Sequence, residues 1–232
     1  MSIPDFLIIG AARAGSTYLA RNLATHPDIL IPKQKELHFF DQHYEKGWNH
    51  YQQHFDSSTI KYEAVGEATP TYMCSEKIAE RIHNHLSDVK LIAILRNPVD
   101  RAYSHYWNVV AEKMDVSTSY EQKTQAYPFE EELKVQDRLI EDGLYAKNLR
   151  PFLNRFGEDQ LLVLLFEEVT ETPHRHFQKA FRFLGVDDTF QSPLVDRRIN
   201  SSSQKHGSSR LLLRLYNFVT AYVQVPIVAE WI

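Results

Sequence analysis

Apolar positions along this chain fall into short runs of strand length, each followed by residues at helical spacing. Phe6–Ile9 leads through Gly10 into a helix-like stretch from Ser16 to Ala24. Lys90–Leu95 ends at Arg96-Asn97-Pro98 and gives way to a helical pattern through Trp107. Leu161–Phe166 is a third buried-looking run, followed by Pro173–Leu184 at helical spacing, and Ala64–Glu67 is a shorter candidate. Strands alternating with helices predict an α/β fold, a P-loop-type parallel β-sheet flanked by helices. Ligands of such sheets sit beyond the carboxyl ends of the strands, which directs attention to the residues after Ile9, Leu95 and Ala64–Glu67.

Composition narrows the class. The 232 residues are 43% hydrophobic and 24% charged, as expected of a folded soluble protein, here read as one domain over 1–232. A net charge of −4 gives no global reason to expect nucleic-acid binding. The single cysteine, Cys74, excludes an internal disulfide and fits a reducing, cytoplasmic setting. The N-terminal apolar run is only a strand long and lacks a basic flank, so it reads as neither signal peptide nor membrane anchor. Leu211–Ile232 is broken by Arg214, Asn217, Gln224, Pro226 and Glu230, which predicts a packed amphipathic helix rather than a membrane span. Glu112–Asp142 carries nine acidic against four basic side chains and reads as a solvated helical excursion. Gln191–Arg214 is basic and Ser-rich, either a surface loop or a segment that folds over an anion.

Two segments carry candidate chemistry. Gly10-Ala-Ala-Arg13-Ala14-Gly15-Ser16-Thr17 lies between strand and helix, where backbone N–H groups and a positive helix end converge on an anion. The Gly10 to Gly15 spacing matches a Walker A loop, but Ser16 stands where a nucleoside triphosphatase has its lysine, and the cation has moved to Arg13. A bare glycine turn of a Rossmann-like fold is the plainer alternative. In the second segment, LRNPVDRAYSHYW, Arg96 leaves the strand and Ser104 follows about two helical turns after Pro98. Together they can grip a phosphate, Arg by its planar fork and Ser by its hydroxyl.

The pair PDFLIIGAARAGSTYLARNL and LRNPVDRAYSHYW resembles the two nucleotide-binding segments of sulfotransferases that use 3′-phosphoadenosine 5′-phosphosulfate (PAPS). HPDILIPKQKELHFFD, HYEKGWNHYQQHF, GEATPTY and GLYAKNLRPFLNRFGEDQLLVLLFEEV resemble the heparan-sulfate-type, carbohydrate-acting branch, so the likeness runs with gaps over Pro4–Gly185. It implies PAPS as co-substrate, with its 5′-phosphosulfate on Arg13, Ala14, Gly15, Ser16 and Thr17 and its 3′-phosphate on Arg96 and Ser104. The late basic segment from Arg197 resembles the loop that closes over the 3′-phosphate, with Arg198 the best candidate. A further helix usually follows that loop, so either Val219–Ile232 supplies it or the chain stops short of it.

The resemblance also implies catalytic roles. Glu36 matches the general base, with His38 a rival on proton affinity, and Arg13 matches the family's catalytic lysine. Arginine keeps its charge but presents a larger fork. Ala68 departs from the lysine often found there in the carbohydrate branch. Glu67 and Tyr72 either line an acceptor cleft, or Glu67 caps a strand end. The acceptor is a small molecule or glycan bearing a hydroxyl or amine. No metal is expected, because the pairs His83/His85 and His174/His176 fall in helical patterns without partners at ligand spacing. The competing functions are an ATP-dependent P-loop kinase and a module that binds the nucleotide without turnover.

Overall fold

The computed structural model describes residues 3–34, 36–55, 61–114 and 118–196, all within one compact unit, Met1–Asn200. The single-domain expectation for 1–232, the Leu211–Ile232 helix and Arg198 therefore reach beyond the described residues. Five parallel strands form the sheet: β1 Phe6–Gly10, β2 Ile29–Leu30, β3 Ala64–Ala68, β4 Lys90–Leu95 and β5 Leu161–Leu165. Their spatial order is β2-β3-β1-β4-β5. The helices are α1 Ser16–Leu23, α2 Phe39–Gln42, α3 Trp48–Gln52, α4 Glu76–His85, α5 Pro98–Lys113 and α6 Tyr120–Ala126. After them come α7 Phe129–Val135, α8 Arg138–Glu141, α9 Tyr145–Phe156, α10 Phe166–Glu171 and α11 Pro173–Leu184.

The α/β expectation holds, and most strand limits fall where the apolar runs do. β1 and β3 each run one residue further than expected, Phe166 opens α10 instead of closing β5, and β2 is a strand the pattern does not predict. Every residue of β1 is buried because the strand is covered on both faces. Leu7, Ile9, Leu91 and Ala93 pack on one side with α4 and α9, through Ile78, Ile82, Phe152 and Phe156. Phe6, Ile8, Ile92 and Ile94 pack on the other with α1 and α11, through Leu19, Leu23, Phe177 and Phe181. The chain runs from β1 to β2 and β3 on one side before crossing to β4 and β5 on the other. That reversal opens a crevice at the carboxyl ends of β1 and β4.

The helix that starts beyond β4 is well anchored. Asn97 accepts from the Val99 and Asp100 N–H groups, and Pro98 occupies the first turn. One turn on, the fully buried Arg101 donates to the carbonyls of Arg138 and Leu139 and to His105 Nδ1 at 3.2 Å, with Asp142 3.8 Å away. Where it is described, the acidic excursion is largely helical as expected, but not all of it is solvated. Asp142 is buried beside Arg101, and buried Glu132 accepts from Lys113 Nζ at 2.8 Å.

Burial, and then the charge of Arg101, presses the His105 pKa down to about 4. The unfolded chain takes up that proton near pH 6.5, so acid favours unfolding between about pH 6.5 and 4. Urea denaturation should therefore register a stability loss over this window of up to roughly 3 kcal/mol from this residue. His105→Gln should flatten the slope by that amount; an unchanged slope would acquit His105.

Candidate functional site

The turn after β1 is built around Gly15, whose φ of +97° closes it and caps α1. A Cβ there would lie 2.6 Å from Phe166 Cδ2, so the glycine also lets β5's exit pack against the turn. The first-turn amides of α1 have no partners within the helix and point, with its positive end, into the crevice. Ala11 N–H donates to the Ile94 carbonyl at 2.8 Å, which ties the turn to the end of β4. Ser16 is buried at the base of the helix.

Arg13 is also left-handed, with φ of 68°. Its Nε donates to Ser104 Oγ at 3.3 Å and its Nη1 to Asn108 Oδ1 at 3.2 Å; Asn108 in turn donates to Glu112 at 2.6 Å. Arg96 reaches back from β4, donating from Nη1 to the Arg13 carbonyl at 3.4 Å and lying 5.1 Å from the Phe166 ring centroid. The Tyr145 hydroxyl fixes the Arg96 backbone by donating to its carbonyl at 2.7 Å. Burial first, then the Arg96 charge, lowers the Arg13 pKa, while Glu112 and Glu36 oppose the shift. The four sequence-predicted groups Arg13, Arg96, Ser104 and Glu36 thus share one electrostatic neighbourhood.

Glu36 and His38 come together on the loop before α2, both with positive φ, 55° and 52°. His38 Nε2 is 3.4 Å from Glu36 Oε2, and its Nδ1 is 3.0 Å from Asp41 Oδ2. Asp41 accepts from the Thr71 hydroxyl at 2.6 Å. The base candidates are therefore not rivals in space but members of one carboxylate–imidazole–carboxylate row.

Glu67 and Tyr72 answer differently from either expectation. Both are buried, Glu67 2% exposed and Tyr72 fully, so neither lines a cleft and Glu67 does not cap a strand. Glu67 instead accepts hydroxyl hydrogen bonds inside the core. Ala68 packs against the core behind β1 and brings no charge to the site. His85 stacks on Trp48 at 4.5 Å, and His83 packs edge-on against Phe156. Among the described residues no His, Cys, Asp and Glu side chains group as a metal site. Sequence reasoning missed Asn108, Asp41, Thr71, Tyr145 and Phe166. Asp41 alone left a signal, three residues beyond His38 at the mouth of a short helix.

The turns after β1 and β4 thus meet at one end of a parallel sheet, and the Glu36–His38–Asp41 row lies on the loop before α2. Residues 3–214 match the model of the sulfotransferase domain family, and the chain belongs to that family. It is 32% identical over 184 residues to heparan sulfate glucosamine 3-O-sulfotransferase 3B1 of Mus musculus, covering 79% of this chain and 46% of that protein. It is 36% identical over 108 residues to the membrane-associated sulfotransferase kil1 of Dictyostelium discoideum, 46% of this chain and 23% of that protein. The chain spans about half the length of the heparan sulfate relatives. The solved sulfotransferase from Alicyclobacillus acidocaldarius superposes with a TM-score of 0.74 at 29% identity, covering 95% of this chain and 93% of its own. Mouse sulfotransferase SULT7A1 complexed with PAP shares the fold, with a TM-score of 0.52 at 15% identity over 79% of this chain and 59% of its own.

The Gly15 geometry is directly testable. Gly15→Ala should cost about 2–4 kcal/mol, combining left-handed strain with overlap on Phe166. Gly185→Ala, left-handed like Gly15 at φ of 86° and ψ of 23° but with only Lys90 Nζ near its Cβ, at 3.7 Å, should cost about 1 kcal/mol. In a Phe166→Ala background the added cost of Gly15→Ala should fall to that of Gly185→Ala. Equal losses at the two glycines in thermal denaturation would remove Phe166 from the account.

Proposed function

We propose that this chain transfers the sulfuryl group of PAPS to a hydroxyl of a carbohydrate acceptor. The observation that carries it is the pairing of Arg13 and Arg96 on loops after adjacent strands, with Glu36 close enough to act on Arg13's charge. The turn Arg13–Thr17 fits a 5′-phosphosulfate through its backbone amides, with the Arg13 guanidinium, held on Ser104 and Asn108, as the nearby cation. Arg96 and Ser104 fit the 3′-phosphate. The named activity of the heparan sulfate relatives supports a hydroxyl on a glycan over an amine. Ser16 in the lysine position weighs against a kinase that must clamp β- and γ-phosphates. The lone Cys74 supports a cytoplasmic site of action.

The chemistry needs two groups on opposite sides of the sulfur. Glu36 takes the acceptor's proton as its oxygen bonds to sulfur, and His38 Nε2, 3.4 Å away, shares that proton. The bond from sulfur to the 5′-phosphate oxygen breaks, and Arg13 stabilises the charge that arrives on the leaving PAP. Asp41 holds the far nitrogen of His38.

Transfer of ³⁵S from labelled PAPS to pools of glycan and small-molecule hydroxyl acceptors tests the activity. Tight PAP binding with no transfer to any pool would leave a nucleotide-binding module. Arg96→Ala should weaken PAP binding by roughly 1.5–3 kcal/mol and leave adenosine 5′-phosphate binding almost unchanged. Unaltered discrimination between the two nucleotides would remove Arg96 from the 3′-phosphate site.

Glu36→Gln should cut kcat by ~10²–10⁴-fold at constant PAP affinity, and His38→Ala by less. The reverse ranking would transfer the role of base to His38.

A further inference from the structure

The loop bearing Glu36 and His38 hangs from a buried carboxylate. Glu67, on β3, accepts from the hydroxyls of Tyr51 at 2.9 Å, Tyr72 at 2.9 Å and Thr69 at 2.7 Å. It also accepts a backbone hydrogen bond from Leu37, inside the loop. The same hydroxyls face the loop on their other side. Tyr72 Oη accepts from the Phe39 N–H at 2.9 Å and the Phe40 N–H at 3.4 Å, and Thr69 Oγ1 accepts from the His38 N–H at 3.4 Å. Four consecutive backbone N–H groups, 37 to 40, therefore end on Glu67 or on a hydroxyl that Glu67 orients.

Each hydroxyl has one hydrogen, and Glu67 consumes it. The lone pairs of Tyr72 and Thr69 are thereby turned toward the loop, where only amide donors can meet them. A carboxylate this deeply buried is costly, and burial raises its pKa against the opposing hydrogen bonds. The return is a loop held in two left-handed residues, Glu36 and His38, a conformation L side chains adopt only when the surroundings over-determine it.

We propose that Glu67, through Tyr72 and Thr69, is a positioning residue that sets the Glu36–His38 pair at the site of proton transfer. The proposal rests on Glu36 as the base. Tyr72→Phe deletes the hydroxyl that bridges Glu67 to the Phe39 and Phe40 amides while keeping the ring in the core. It should lower kcat by roughly 10–100-fold, the cost of a small misplacement of a catalytic group. PAP affinity should stay near the wild-type value, because among the described residues the hydrogen bonds of the network run to the 37–40 loop and not to Arg13 or Arg96. Thr69→Val, which keeps shape and loses the hydroxyl, should behave in the same sense.

A general loss of stability does not distinguish whether the base is present, so the deciding measurement is a double-mutant cycle. In a Glu36→Gln background, Tyr72→Phe should cost at most about 2-fold more in kcat, because the group it positions is already disabled. A full 10–100-fold loss in that background overturns the proposal, as does wild-type kcat in both Tyr72→Phe and Thr69→Val. Wild-type turnover in Glu36→Gln alone instead overturns the assignment of the base, which separates the two failures. Should Tyr72→Phe fail to fold, seen as lost PAP binding, the Thr69→Val cycle decides by the same criteria.

Discussion

Arg13 and Arg96 stand on loops leaving adjacent strands, so each raises the free energy of the other's charge. Burial and the Arg96 charge together lower the Arg13 pKa, and Glu112 and Glu36 only partly offset them. The protein holds the two cations with neutral groups: a carbonyl for Arg96, and the Ser104 hydroxyl and Asn108 amide for Arg13. Neutral acceptors satisfy the N–H groups without cancelling the field. The residual positive potential is therefore available to an anion entering the crevice, where desolvation makes charge-assisted contacts stronger.

That arrangement dictates the surrounding fold. β1 and β4 have to be neighbours at the point where strand order reverses, because only there do their exits face a common crevice. Their register places Gly10 opposite Ala93 after a shift, so β4 runs on through Ile94 and Leu95 beside the turn. Phe166, arriving from β5, fills the space left by the missing Cβ of Gly15 and lies against Arg96. Buried Arg101 then fixes α5 to α8, and with it Ser104 and Asn108 on the same helix. Packing of apolar layers supplies the scaffold, while a few polar ties set the angle at which cations meet.

Four of the five strands and the turns that follow β1 and β4 were legible in the sequence because each depends on local pattern; β2, two residues long, has no such run. Lys90–Leu95 is a continuous apolar run closed by Arg96-Asn97-Pro98, and both the strand and the helix start follow from neighbours in the chain. Glu67 was not legible. A carboxylate among Ala64, Val65, Gly66 and Ala68 looks like a strand-end group, and its partners Tyr51 and Tyr72 come from other elements. Asn108 escaped for a similar reason: its meaning depends on Arg13, 95 positions away. The acidic excursion was read as solvated from its charge alone, yet Glu132 and Asp142 are buried by pairing with Lys113 and Arg101, which composition cannot reveal.

Charge is distributed in this site according to the direction in which the proposed reaction moves it. Glu36, Asp41 and Glu67 lie on the loop side, while Arg13 and Arg96 lie on the nucleotide side. A transferring acceptor gives its proton toward the carboxylates as negative charge moves across sulfur toward the guanidinium groups. Glu67 serves this polarity by the kind of partner it has. A buried carboxylate neutralised by lysine or arginine would put positive charge behind Glu36 and weaken its hold on a proton. Hydroxyls and an amide satisfy Glu67 without that effect, and Ala68, the next residue on β3, adds no charge. The base loop is thus shaped by hydrogen-bond geometry, and Glu67 adds no cation to the groups already near Glu36, His38 on the loop and Arg13 on the nucleotide side.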